Sequence, residues 1–195
     1  MANDKNIIPN YGLVAAEFIS PNLGVDYVQI YSINLVFLPK LSITLKLIDL
    51  GDELVPNIGI GDRSVDLKYN FVEETNSIPA ISVGLSEIGG TNLLNKSYYI
   101  VTSKNFRIGS IILLTSIGLG KKLSGQSLRI NQTGKLTGLW GNLNLSYKSI
   151  TTMLEYDGDQ FNTGIKYSYK NRIGANLGLI DFKHFTASLS ASFSL

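Results

Sequence analysis

The chain has 195 residues, 44% hydrophobic and only 16% charged, with a formal net charge of +2 and a mean hydropathy of +0.14. An average soluble domain carries about 25% charged residues, yet the longest charge-free stretches, Tyr27 to Pro39 and Ile108 to Gly120, fall short of the roughly 20 apolar residues a spanning helix needs. Helical membrane spans are therefore excluded, as are disorder at this apolar content, a disulfide framework or thiolate metal site in a chain without cysteine, and nucleic-acid binding at so modest a charge.

Alternation of period two runs almost from end to end and predicts twelve strands, beginning near residues 11, 24, 41, 63, 79, 96, 106, 138, 149, 161, 172 and 184. In the third, Leu41, Ile43, Leu45 and Leu47 alternate with Ser42, Thr44 and Lys46. In the fourth, Val65, Leu67, Tyr69 and Phe71 alternate with Ser64, Asp66, Lys68 and Asn70. Leu143, Leu145 and Tyr147 stand against Asn142, Asn144 and Ser146 in the eighth. The last strand sets Phe185, Ala187, Leu189, Ala191, Phe193 and Leu195 against Thr186 and the serines 188, 190, 192 and 194. All five prolines fall at strand ends or in connections, where a missing N–H harms a ladder least.

The connections alternate in length. Short ones are expected at Pro39-Lys40, Glu74 to Ser77, Lys104-Asn105, Lys148-Ser149 and Lys170 to Arg172. Longer ones are expected at Leu50 to Asp62, Gly89 to Asn95, Leu119 to Thr137 and Asp157 to Asn162, with a brief one at Asp181 to His184. Short turns on one rim, longer loops on the other and an even strand number are the anatomy of an outer-membrane barrel. The expected fold is thus all-β, a transmembrane antiparallel up-and-down barrel of about twelve strands. It forms a single domain over residues 1–195, in which residues 1–10 form a periplasmic segment, free or plugging the lumen. Alternation alone also permits a soluble β-sandwich or a lipocalin-like carrier with an apolar ligand cavity, because it defines two faces without saying which is inside. Composition favours the membrane: the polar set is mostly Ser, Thr, Asn and Gly, charges gather near turns, and Tyr69, Phe71, Tyr147, Tyr156, Tyr167 and Tyr169 sit near strand ends as an interfacial girdle requires. The barrel reading implies a mature chain without its signal peptide, in the bacterial outer membrane, since Met1 to Lys5 has no apolar leader.

The final run, Phe185 to Leu195, is similar to the closing strand that barrel-assembly machinery reads, with Phe185, Leu189, Phe193 and Leu195 as its apolar face. A more specific likeness lies in Phe37 to Leu41, Asp62 to Tyr69, Pro79 to Leu85, Glu87 to Thr91, Tyr99 to Phe106, Leu154 to Asp159 and the glycine-punctuated strands from Gly164 onward. In that order these stretches resemble the YjbH-type outer-membrane family associated with exopolysaccharide. The resemblance implies a β-barrel and a role connected with envelope polysaccharide, in a chain much shorter than typical members.

No catalytic constellation is apparent. The single histidine, His184, lies beside Lys183 at an expected loop, and serines fill every second position after it simply to make a wet face. Asp157-Gly158-Asp159 lacks the length and spacing of a calcium loop and reads as turn chemistry. No cofactor or metal is expected. Lumen charges are more informative. A hairpin centred on Pro56 sets Lys46 opposite Asp66 on the polar face, with Lys68 two residues on, and the same construction makes Glu155 and Lys166 diagonal neighbours. Two readings follow, a charged eyelet that selects solutes or a self-compensated network that partly fills the lumen.

Residues 88–154 carry eight bases and no acid. At the short-turn rim fall Lys40, Lys104, Arg107, Lys148, Lys170 and Arg172, placed to engage anionic lipid head groups. At the long-loop rim fall Asp49, Asp52, Glu53, Asp62, Glu87, Asp157, Asp159 and Asp181. The loop from Leu119 is the basic exception, and its Lys121, Lys122, Arg129 and Lys135 are placed to contact phosphates or acidic sugars. The expected protein is a monomer among outer-membrane lipids and lipopolysaccharide: a small pore or envelope component linked to exopolysaccharide export, or else a structural barrel with a filled lumen.

Overall fold

A computed structural model describes residues 13–19, 28–38, 40–49, 62–88, 96–124, 138–170 and 172–192. They form twelve strands: β1 (Leu13–Ile19), β2 (Val28–Leu38), β3 (Leu41–Asp49), β4 (Asp62–Val72), β5 (Ala80–Ile88), β6 (Lys96–Ile108), β7 (Ile111–Ser124), β8 (Gly138–Tyr147), β9 (Ile150–Tyr156), β10 (Phe161–Tyr169), β11 (Ile173–Ile180) and β12 (His184–Ser192). Each pairs antiparallel with its sequence neighbour, and β1 pairs with β12 to close the barrel. Closure leaves no strand edge, which a sheet surrounded by lipid requires because nothing there satisfies a free N–H or C=O.

Burial decides which face is inside. Ser64, Ser82, Ser86, Ser97, Ser116 and Thr186 are almost fully buried, whereas Ile117, Leu119, Leu139, Leu143, Leu177 and Leu189 are exposed. Among the described residues the only buried hydrophobic side chains are Val101, Trp140 and Ile180. The polar set therefore lines the interior and the apolar set coats the outside. This arrangement rules out the soluble carrier, whose apolar set would fill a cavity. A coat of this extent far exceeds the apolar patches a soluble protein exposes. The fold is an outer-membrane β-barrel.

Aromatic residues ring both ends of the coat. Tyr69, Phe71, Phe106, Tyr147, Tyr167 and Tyr169 are exposed near the short turns, and Tyr98, Phe161, Phe182 and Phe185 near the other rim. Two hairpin turns repeat one device. Lys148 and Lys170 take left-handed backbone, with φ of 54° and 49°, and each ammonium sits over the preceding tyrosine ring, at 5.1 Å from Tyr147 and 5.2 Å from Tyr169.

Three boundaries differ from the sequence-based expectation. Lys104 and Asn105 lie within β6, and the turn falls instead at Gly109-Ser110, where Gly109 supplies a φ of 59°. The strand β7 continues to Ser124, so Lys121 and Lys122 belong to a strand and not to the loop assigned to them. Likewise His184 opens β12, paired with Ile180, and is not a loop residue.

Candidate lumen site

Inward residues of neighbouring strands meet as cross-strand polar pairs, the usual currency of sheet stabilisation. Ser82 donates to Asn70, Ser116 to Ser103 at 3.0 Å, and Ser146 and Thr151 share a bond of 2.9 Å. This lattice ties the wall together around a polar interior. Further inward polar atoms, among them Asn34 Oδ1, Asn142 Oδ1 and Asn176 Oδ1, have no hydrogen-bond partner among the described residues. Such groups are costly in a dry interior, so a hydrated lumen suits them.

The most elaborate node is Asp66. The β3–β4 register sets Thr44, not Lys46, opposite Asp66 and places Lys46 across from Ser64, a correction of two residues that keeps both charges on one face. The Lys46 ammonium nonetheless reaches the Asp66 carboxylate at 2.6 Å. On the other side β5 is bulged, the register shifting between Leu67↔Leu85 and Val65↔Ile88, so that both Ser86 and Glu87 face Asp66. Ser86 Oγ donates to Asp66 Oδ1 at 3.1 Å and the Glu87 N–H donates at 2.8 Å. Glu87 takes a φ of 58° to do so. A bulge that re-aims a donor, held by a non-glycine residue in left-handed backbone, is a feature proteins keep at particular sites.

Lys68 pairs in register with Ser42 and Gly84, and Lys166 with Thr151 and Asn176. Neither has an ion-pair partner among the described residues. The expected Glu155–Lys166 contact is not formed. Glu155 faces Asn162, which donates to it at 3.2 Å, while Lys166 lies four residues further along β10. Lys166 and Arg172 line a nook of about 220 Å³ with Ser168, Ser190 and Ser192; Lys68 and Lys40 line another of about 210 Å³ with Asn34, Ser42 and Asn70. Both lie toward the short-turn end.

Sequence reasoning missed an aromatic pair on the inner wall. Tyr99 of β6 and Trp140 of β8 meet edge to face, ring centroids 5.7 Å apart. Each ring lies over a glycine of an adjacent strand, Tyr99 over Gly84 and Trp140 over Gly118, where a β-carbon would collide with it. Glycines on the inward face beside aromatics on the facing strand are the signal that finds the pair.

At the rims, Lys40 pairs with Glu73 at 3.4 Å, and Lys104 donates to the Thr75 and Asn76 carbonyls, near Glu74, so these two short-turn cations are engaged within the protein. Asp157 accepts the N–H groups of Asp159 and Gln160, each at 3.0 Å, as turn chemistry predicts. Asp181 is held by Lys183 at 2.6 Å. In register Lys121 pairs with Tyr98, on the outward face, and Lys122 with the buried Ser97, on the inward face. Arg129, Lys135, Asp52, Glu53, Phe193, Leu195 and the 1–10 segment lie outside the described residues, as do the side chains of Asp49 and Asp62.

The barrel is similar to solved porin structures. It aligns with the KdgM porin at a TM-score of 0.57 and 15% identity, covering 93% of this chain and 99% of that one. The KdgM porin in complex with disordered oligogalacturonate aligns at 0.58 and 13%, covering 94% and 99%. These likenesses speak for the fold. No curated protein sequence matches the chain. The family model described as exopolysaccharide biosynthesis protein YbjH matches residues 20–138, more than half of the sequence. With its polar-lined closed barrel, the chain belongs to the YjbH family of exopolysaccharide biosynthesis proteins.

Proposed function

We propose that this protein is a narrow, hydrated pore of the bacterial outer membrane that favours anionic saccharides. The observation that carries the reading is the pair Lys68 and Lys166, two cations on the polar inner face with no ion-pair partner among the described residues, while the charge of Lys46 is cancelled by Asp66. Unpaired fixed cations along a small lumen raise the local concentration of anions and speed their entry. The family's link to exopolysaccharide and the oligogalacturonate complex of a similarly folded porin support an acidic saccharide as the solute. On this reading the protein is a monomer among outer-membrane lipids, since its closed barrel needs no second chain to satisfy a strand edge. Its β12 face, Phe185 and Leu189 with Phe193 and Leu195 beyond, is what the assembly machinery engages.

Planar-bilayer recording tests this. The full chain is expected to conduct with a preference for chloride over potassium, and Lys68→Gln with Lys166→Gln to lose that preference while still conducting. A chain that inserts yet never conducts would favour the structural barrel, a reading to which the inward Tyr99 and Trp140 lend weight.

A further inference from the structure

We propose that the outer wall carries a binding site for one lipid A molecule, a groove over β3 to β7 that runs from Leu41 and Tyr69 near the short turns to Lys121 near the long-loop rim. The wall is dented there. A groove of about 770 Å³, within the roughly 300–1,000 Å³ typical of small-molecule sites, opens on the apolar coat. Its floor follows two adjacent register rows. Tyr69, Val83, Ile100 and Leu119 pair in one, and Leu67, Leu85, Tyr98 and Lys121 in the next. The dent has a cause in the β4–β5 ladder, where register shifts between Val65 and Leu67 and between Asn70 and Val72 bracket these rows. A bulge on each side bends and twists the sheet locally.

The occupant follows from charge. A groove lined by leucine, isoleucine, valine and tyrosine takes an acyl chain, and any bilayer lipid supplies one. This groove, however, ends at Lys121, an exposed ammonium that shares its row with three apolar residues and has no ion-pair partner among the described residues. Arg63, also exposed and unpaired among them, stands at the same rim, in register with Leu47. At the opposite rim Lys40 and Lys104 are engaged with Glu73, Glu74 and backbone carbonyls, and Lys148 and Lys170 lie over tyrosine rings. An acyl-sized groove thus reaches cations available to a ligand where it meets the long-loop end, the side of a barrel that faces the outer leaflet. A lysine on the lipid-facing wall is tolerated near the interface, where its ammonium reaches the head groups. A phosphorylated, multiply acylated glycolipid satisfies both parts of the site.

The test uses the full chain in detergent micelles, titrated with bisphosphorylated hexa-acyl lipid A and read by native mass spectrometry. One retained lipid A per chain is expected. Lys121→Gln, which removes the charge and leaves the groove, and Val83→Trp, which fills the groove and leaves the charge, are each expected to weaken retention about fivefold. Lys148→Gln at the opposite rim leaves it unchanged. Dephosphorylated lipid A and phosphatidylglycerol, tried on the unaltered chain, are expected to bind about fivefold more weakly, an arm that needs no variant to fold. Equal retention of all three lipids, or full retention by both groove variants, overturns the site.

Discussion

Lys46 reaches diagonally along the β3–β4 ladder, past its direct partner Ser64, to set its ammonium 2.6 Å from the Asp66 carboxylate. Both side chains are about three-quarters covered, at 25% and 21% exposure, so water screens the contact only in part. The two partners are not equivalent. Asp66 also accepts from Ser86 Oγ and the Glu87 N–H, whereas no other contact of the Lys46 ammonium accompanies this one among the described residues. Asp66→Asn strips Lys46 of its counter-charge and weakens the acceptor at the bulge, and is expected to cost about 2 kcal/mol. Lys46→Gln leaves the carboxylate its two donors and is expected to cost about 1 kcal/mol. Urea unfolding in micelles measures both. An order reversed, with Lys46→Gln the more damaging, removes the bulge from the account.

Tyr99 and Trp140 offer a second prediction, helped by the fact that Trp140 is the only tryptophan in the chain. Gly118→Ala puts a methyl group where the indole ring lies. The ring must swing away, at a cost of about 1–3 kcal/mol for overpacking. Its emission is then expected to move to longer wavelength as the indole leaves its buried seat. Gly109→Ala serves as a control, because nothing lies near its β-carbon position, although its φ of 59° strains the turn. Unchanged emission in Gly118→Ala would show that the indole does not rest on β7.

How far the sequence reveals this barrel depends on the scale. The faces of the strands are legible, since alternation is local: Ser64, Asp66, Lys68 and Asn70 share a face whatever the register. Composition points to the inward face, since a polar set of serine, threonine and asparagine with few charges suits a wet lumen better than the charged outside of a soluble barrel, and burial decides it. Register is less legible. Lys46 and Asp66 come out two residues from their true alignment because loop length between β3 and β4 fixes the pairing, and the turn chemistry around Pro56 does not state where the ladder ends. The β6–β7 turn is misplaced for a related reason. Lys104-Asn105 has turn-like polarity, but its Lys104 side chain is occupied by the neighbouring turn's carbonyls, and the backbone reverses only where Gly109 permits a positive φ. The Asp66 bulge is invisible because nothing in Ser86-Glu87 signals left-handed backbone.

The two faces predict opposite tolerance to charge. Leu143 is exposed at the middle of β8 and Asn144, its neighbour, faces the lumen. Leu143→Arg places a guanidinium in the apolar band and is expected to cost about 2–4 kcal/mol at the bilayer midplane. Asn144→Arg places the same group in the polar interior and is expected to cost under about 1 kcal/mol, with a rise in anion preference. Folding titrations into lipid vesicles separate them. Equal tolerance of the two arginines contradicts the assignment of faces.

The hairpin lysines give the last prediction. Left-handed backbone costs a non-glycine residue about 1–2 kcal/mol, and Lys148 adopts it at φ 54°. Lys148→Gly removes that strain but gives up the ammonium over Tyr147, worth about 0.5–1 kcal/mol at an exposed site, and frees the unfolded chain by a further 0.4–1 kcal/mol or so. These effects nearly cancel, so Lys148→Gly is expected to lie within about 0.5 kcal/mol of the parent. Lys148→Ile has no such cancellation. A β-branched side chain suits φ > 0 worst and also loses the ring contact, and a cost of about 2 kcal/mol is expected. Lys170, at φ 49° beside Tyr169, is expected to repeat both results. Urea midpoints in micelles decide the matter: isoleucine tolerated as well as glycine at either turn would mean that backbone handedness does not govern these hairpins.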